Sequence, residues 1–150
     1  MIDEKDKQIL NLLVQNPGIT RDQIAEKLKV TGPAITSRIQ RMKHKKIILG
    51  MAPIIDLHKV GYDMTAIVRV QIKNGRLETA ASKWAKDPNV CALHRISGEY
   101  DMLLTVKFHN TKELNEWNQK IVADTENIYR TDTSLVFNTE KEGTAPNEIK

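Results

Sequence analysis

Apolar residues change their spacing near residue 64, and that change restricts the chain to two kinds of packing. Before it they recur every three or four positions, as on one side of a helix. After it "MTAIVRVQI" alternates residue by residue, the period of a strand with one buried face. One chain of 150 residues is long enough for a small helical unit followed by a mixed unit with its own core.

The first third predicts three short helices. Helix one runs from about Asp3 to Val14, with Ile2, Ile9, Leu10 and Leu13 inward, and "NPG" stops it. Thr20 followed by Gln23 is a capping-box pattern opening helix two, whose inward stripe is Ile24, Ala25 and Leu28. Thr31 is placed to cap helix three, with Pro33 in its first turn, where a missing N–H does no harm. Ile35, Ile39 and Met42 form a narrow stripe on helix three. Pro33, Ser37, Gln40, Arg41 and His44 fall opposite, flanked by Ala34 and Thr36. Two helices joined by a tight connection, the second with small and polar residues outward, suit the major groove of DNA.

Charge agrees with that reading. Residues 1–50 hold 10 Lys and Arg against 5 Asp and Glu, whereas residues 51–150 hold 13 against 14. Residues 30–46 contain six basic side chains, counting His44, and no acid. A field of one sign at one end points to a polyanionic partner there. The predicted DNA contacts are Arg21, Thr31, Pro33, Thr36, Ser37, Gln40, Arg41 and Lys43. Of these, Ser37 and Gln40 are the base readers and Arg41 and Lys43 the phosphate contacts. Residues 47–55, broken by Gly50 and Pro53, predict a hairpin or wing leading to a linker strand.

From residue 64 the order is strand, helix, strand, strand, helix, strand. Leu77, Ala80, Ala81 and Trp84 face in from one helix; Leu114, Trp117 and Ile121 do so from the other, capped by Thr111. "VCALHRI" and "DMLLTVKF" make a hairpin through "SGEY". This is the split βαβ, ferredoxin-like pattern. Both helices cover one sheet face, and the other carries Ile67, Cys91, Leu93 and Leu103, which a second copy would cover. The expected fold is α+β. A winged helix-turn-helix domain (1–50) joins through a wing or linker strand (51–63) to a βαββαβ domain (64–142), and a mobile polar tail (143–150) follows.

Together, "IAEKLKVTGPAITSRIQRM", "GYD" after the linker and "ISGEYDMLLTV" resemble the Lrp/AsnC, or feast/famine, transcription regulators over roughly residues 2–142. One departure is Lys29, where that family often has Gly. The resemblance implies DNA binding at operators, dimers formed through the C-terminal sheet, association into octamers, and amino acids as effectors at contacts between dimers. Carried onto this chain, it implies an effector turn at Gly98, Glu99, Tyr100 and Asp101. Thr131 and Thr133 of the last strand and Gln119 of the second helix of this unit would come from a neighbouring copy. Gln119, where some lysine-binding relatives have an acid, favours a neutral polar effector such as glutamine.

An architectural DNA-binding protein without effector is the alternative, and an enzyme of the same fold is a third reading. No carboxylate pair, nucleophile–base pairing or phosphate loop supports catalysis, so no catalytic residue is expected. No metal or cofactor is expected either, because His44, His58, His94, His109 and Cys91 show no ligand spacing. No apolar run reaches the ~20 residues of a membrane span. The charged start "MIDEKDKQIL" lacks the pattern of a signal peptide, so the expected location is the cytoplasm, without a membrane partner.

Overall fold

The computed structural model describes residues 2–143, 145, 146 and 148–150. They form two compact units, one of residues 1–55 with 141–150 and one of residues 56–140.

The helical unit holds α1 (Glu4–Gln15), α2 (Arg21–Leu28) and α3 (Gly32–His44). Its core is Ile9, Leu10, Ile24, Ala25, Ile35, Ile39 and Met42, the apolar stripes of the three helices. Each fully buried aliphatic side chain contributes about 1.5–3 kcal/mol over leaving it in water, enough to fix α3 by one face. Capping boxes start α1 (Asp3 with Asp6) and α2 (Thr20 with Gln23), each satisfying two otherwise unpaired N–H groups. Thr31 has the extended backbone of an N-cap, but its side chain makes no capping bond. Lys29, at the end of α2, is left-handed (φ 53°, ψ 49°), which explains the preference for Gly at this turn.

No strand forms between α3 and a 3-10 turn at His58–Val60. The expected wing or linker strand is therefore unpaired in a single chain, and while Ile48 packs on the helical core, other apolar residues are solvent-facing: Leu49 is 89% and Ile54 82% exposed. A strand needs a partner for its backbone groups, and none of the described residues supplies one.

The second unit holds β1 (Met64–Ile72), α4 (Leu77–Trp84), β2 (Val90–Arg95), β3 (Met102–Phe108), α5 (Thr111–Val122) and β4 (Ile128–Leu135). The sheet order is β2-β3-β1-β4, with every neighbouring pair antiparallel. Ala66, Val68 and Val70 alternate onto the helix-covered face, where they meet Leu104, Val106, Trp84, Leu114, Trp117 and Ile121. Trp84 and Trp117 meet edge to face, 5.4 Å between ring centroids. Asp124 is buried where α5 ends, accepting from Trp84 Nε1 (3.1 Å) and Asn127 Nδ2 (2.8 Å) and pairing with Lys83 (2.9 Å). Burial opposes its charge, but these three partners outweigh burial and hold its carboxyl below the usual range.

Two details differ from the sequence reading. Asn110 rather than Thr111 caps α5, accepting from Glu113 N at 3.0 Å. Leu93 faces the helices, opposite Leu104 and against the core, because the β2–β3 register shifts between Val90 and Ala92. A bulge moves every later side chain to the other face, and alternation alone does not reveal it. The tail also differs: its described end packs against the helical unit.

Candidate nucleic-acid interface and ligand site

The N-termini of α2 and α3 lie side by side. Arg21, Asp22, Gly32, Pro33, Thr36, Ser37 and Gln40 line one open groove there. Gly32 keeps this junction close, since a Cβ on it would lie 3.3 Å from Asp22 Oδ1. Seven positions, two from α2 and five from α3, thus become one surface, and five of them (Arg21, Pro33, Thr36, Ser37, Gln40) are predicted DNA contacts. Thr31 precedes the groove as the N-cap of α3. Lys43 is exposed on the last turn of α3 and forms no ion pair among the described residues.

Arg41 departs from this arrangement. Its Nη2 lies 2.6 Å from Asp6 Oδ2, so its guanidinium turns toward α1. Arg38, not singled out in the sequence, donates Nη1 to Asp6 Oδ1 (2.8 Å) and to Asp3 Oδ2 (2.6 Å). The Asp6 side chain is only 2% exposed. Burial opposes its charge, yet the Asp3 amide and the Arg38 guanidinium win, and its carboxyl is held below the ordinary range. Arg38 does the same for Asp3, helped by the Asp6 amide. Two cations of the basic helix are thus matched by two acids at the start of α1, its N-cap Asp3 and Asp6, 32 to 38 positions away. Helical spacing within one element cannot show such a pairing.

The predicted ligand turn lies at one end of the sheet. Gly98 has φ 115°, a conformation open to glycine at little cost. Asp101 N donates to Val70 O (2.9 Å), and Asp101 Oδ2 accepts from Ile72 N (2.7 Å). The Asp101 carboxylate therefore anchors the turn to β1. Because β1 lies between β3 and β4, the turn comes within reach of β4. Arg130 donates Nη2 to Glu99 Oε1 (2.6 Å) and to Tyr100 Oη (2.5 Å), which raises its already high pKa. Arg69 stacks over Tyr100, 5.5 Å from the ring centroid, and pairs with Asp132 at 2.7 Å.

The cluster of Glu99, Tyr100, Arg130, Arg69 and Asp132 belongs to the open face. Thr131 and Thr133 stand opposite Val70 and Val68 and so belong to the helix-covered face, where Thr133 Oγ1 donates to Asn118 Oδ1 at 3.1 Å. Gln119 is exposed beside Asn118 on α5. One chain therefore divides the predicted ligand residues between the two faces of its sheet. Arg69, Arg130 and Asp132 were not predicted; their signal is charge on the outward alternation of β1 (Arg69) and β4 (Arg130, Asp132), strands whose other face is apolar or small.

Among the described residues no group of three or more His, Cys, Asp and Glu could hold a metal ion. No helix among them is long and apolar enough to cross a membrane.

Residues 65–146 match the Lrp/AsnC ligand-binding domain family, and residues 2–48 match a winged helix-turn-helix DNA-binding family. The HTH-type transcriptional regulator FL11 of Pyrococcus horikoshii is 33% identical, over 95% of this chain and 94% of its own length. An uncharacterized HTH-type transcriptional regulator of Pyrococcus abyssi is 30% identical, over 95% of this chain and 96% of its own. The fold is shared with a Neisseria meningitidis transcriptional regulator solved as an L-Met complex (TM-score 0.89, 21% identity, 96% of this chain and 95% of that one). It is also shared with AsnC of E. coli (TM-score 0.85, 22% identity, 97% and 98%).

Proposed function

The chain belongs to the Lrp/AsnC family, as a DNA-binding transcriptional regulator with a ligand-binding domain rather than an enzyme, and from this we propose that it binds operators as a homodimer under the control of an amino-acid effector. One α3 enters the major groove at each half-site, and the half-sites lie about one helical turn apart. The groove at the α2–α3 junction carries this reading: Arg21, Pro33, Thr36, Ser37 and Gln40 share one surface that the protein itself leaves open. Ser37 and Gln40 read base edges, and Arg21 and Lys43 neutralise phosphates.

The ligand reading rests on charge pairing. An amino acid presents a carboxylate and an ammonium close together, and the open-face cluster offers Arg69 and Arg130 beside Glu99 and Asp132. Thr131, Thr133 and Gln119, on the other side of the sheet, would serve the site of a neighbouring copy, which supports effector binding at contacts between dimers and an octameric assembly. The exposed apolar residues of 49–55 and the open sheet face with Ile67 and Leu103 support a second copy as partner. The L-Met complex of the Neisseria regulator supports a neutral effector here, and exposed Gln119 supports a neutral polar one such as glutamine.

A thermal-shift series over the amino acids tests the effector. A ligand that binds only the folded state raises the midpoint with concentration. A midpoint unmoved by every amino acid, with duplex binding intact, would favour the architectural alternative.

A further inference from the structure

The far end of the chain is held by a single side chain of α1. Ile149 donates its backbone N–H to Asn11 Oδ1 at 2.6 Å, and its carbonyl accepts from Asn11 Nδ2 at 3.2 Å. One amide side chain thus satisfies both backbone groups of one residue, as a neighbouring strand would. The Ile149 side chain packs on the apolar cluster of the helical unit, to which Leu12 and Leu13 of α1 also contribute. The described residues of 141–150 accordingly pack with the helical unit, although the chain reaches them from β4.

We propose that the Asn11 face of α1 is a docking surface for the chain's own C-terminal end, and that the seated tail acts as a second tether on the DNA-binding unit. The first tether is the connection after α3. It has no secondary structure before the 3-10 turn at His58–Val60, and Leu49 and Ile54 are turned to solvent. A helical unit joined there alone samples the orientations that connection allows. A second attachment closes a loop through the sheet unit and removes part of that freedom. The second tether continues from β4, the strand that carries Arg130, Thr131 and Thr133. The sheet end proposed above as the ligand site is thereby linked along the backbone to α1 of the reading head. The docking stands independently of the proposed function; its effect on operator choice rests on that reading.

The test uses the full-length protein and Asn11→Ala. Alanine is the best helix former, so the substitution removes both bonds without weakening α1. Hydrogen exchange at the Ile149 amide should be at least about tenfold slower than in a free peptide of the same C-terminal sequence, and should return to the peptide rate in Asn11→Ala. The variant should also lose about tenfold of the parent's preference for correctly spaced half-sites over half-sites shifted by a few base pairs, because untethered heads adapt to wrong spacing. Exchange at the peptide rate in the parent would overturn the docking. Slow exchange in the parent with the same spacing preference in both proteins would overturn the tether. Ile149→Asp, which leaves α1 unaltered, gives the same two readouts should Asn11→Ala fold poorly. If the parent binds no duplex at all, the operator reading and the tether's role fall together, while the exchange rates still decide the docking.

Discussion

Asp6 of α1 and Arg41 of α3 lie 2.6 Å apart, with the Asp6 side chain almost wholly buried. Arg38 completes the cluster from the same helix. The pairing fixes the turn of α3 about its own axis, so that Pro33, Thr36, Ser37 and Gln40 stay outward. It also engages two positive charges of α3 that would otherwise be available to the face proposed to meet DNA.

Asp6→Asn should therefore move two quantities in opposite directions. Stability should fall by about 1–3 kcal/mol, since a buried acceptor loses its charge and two guanidinium groups lose a partner. The salt dependence of duplex binding should steepen by about one or two ions, because the freed arginines can reach phosphates. The pH dependence follows from the lowered carboxyls of Asp3 and Asp6. Their contribution is complete above the ordinary value of 3.8 and is lost as pH falls through the lower folded values. Acid titration of helical content should show a shallower loss below about pH 4 in Asp6→Asn than in the parent. An unchanged salt slope would make the arginines purely structural.

Base readers and phosphate contacts should separate in a selection from randomised duplexes. Ser37→Ala and Gln40→Ala should change the preferred sequence, with about 1–3 kcal/mol of discrimination lost at the position read. Lys43→Ala should weaken all sequences alike and lower the salt slope by about one ion. A uniform loss in Gln40→Ala would remove it from the base edges.

Lys29 keeps a left-handed backbone that costs an L-residue roughly 1–2 kcal/mol. Lys29→Gly relieves this strain and gives back part of the gain through the greater freedom of unfolded glycine. Denaturant unfolding should show a net stabilisation of up to about 1 kcal/mol. A destabilised variant would mean that the lysine side chain supports the turn.

At the ligand turn, Asp101 and Arg130 should behave differently. Asp101→Ala removes the acceptor of the Ile72 N–H and should loosen the turn itself, lowering thermal stability whether or not ligand is present. Arg130→Ala should leave the unliganded stability within about 0.5 kcal/mol of the parent, as for an exposed ion pair. It should nevertheless abolish the shift produced by amino acids. An undiminished shift in Arg130→Ala would place the ligand elsewhere.

The elements of the fold were legible because each buries one face. Ile35, Ile39 and Met42 mark α3, and Ala66, Val68 and Val70 mark β1, by spacing alone. Leu93 was misplaced because a bulge changes register without changing composition. Asp6, Arg38 and Asn11 escaped notice for a different reason. Their roles depend on partners more than 30 positions away in sequence, and a polar residue on a helix looks the same whether its partner is water, a distant arginine or the end of the chain. The separation of Thr131 and Thr133 from Tyr100 needed the pairing of β4 with β1, which sets both threonines on the helix-covered face and Arg130, the partner of Tyr100, on the open one.

The most direct test of a basic reading head governed by a metabolite-sensing unit is fluorescence anisotropy with duplex from the protein's own promoter, titrated with and without each amino acid. The account predicts binding that weakens steeply with added salt, favours that duplex over random sequence, and changes with one neutral amino acid, glutamine among those first tested. Indifference to duplex at low ionic strength would contradict it.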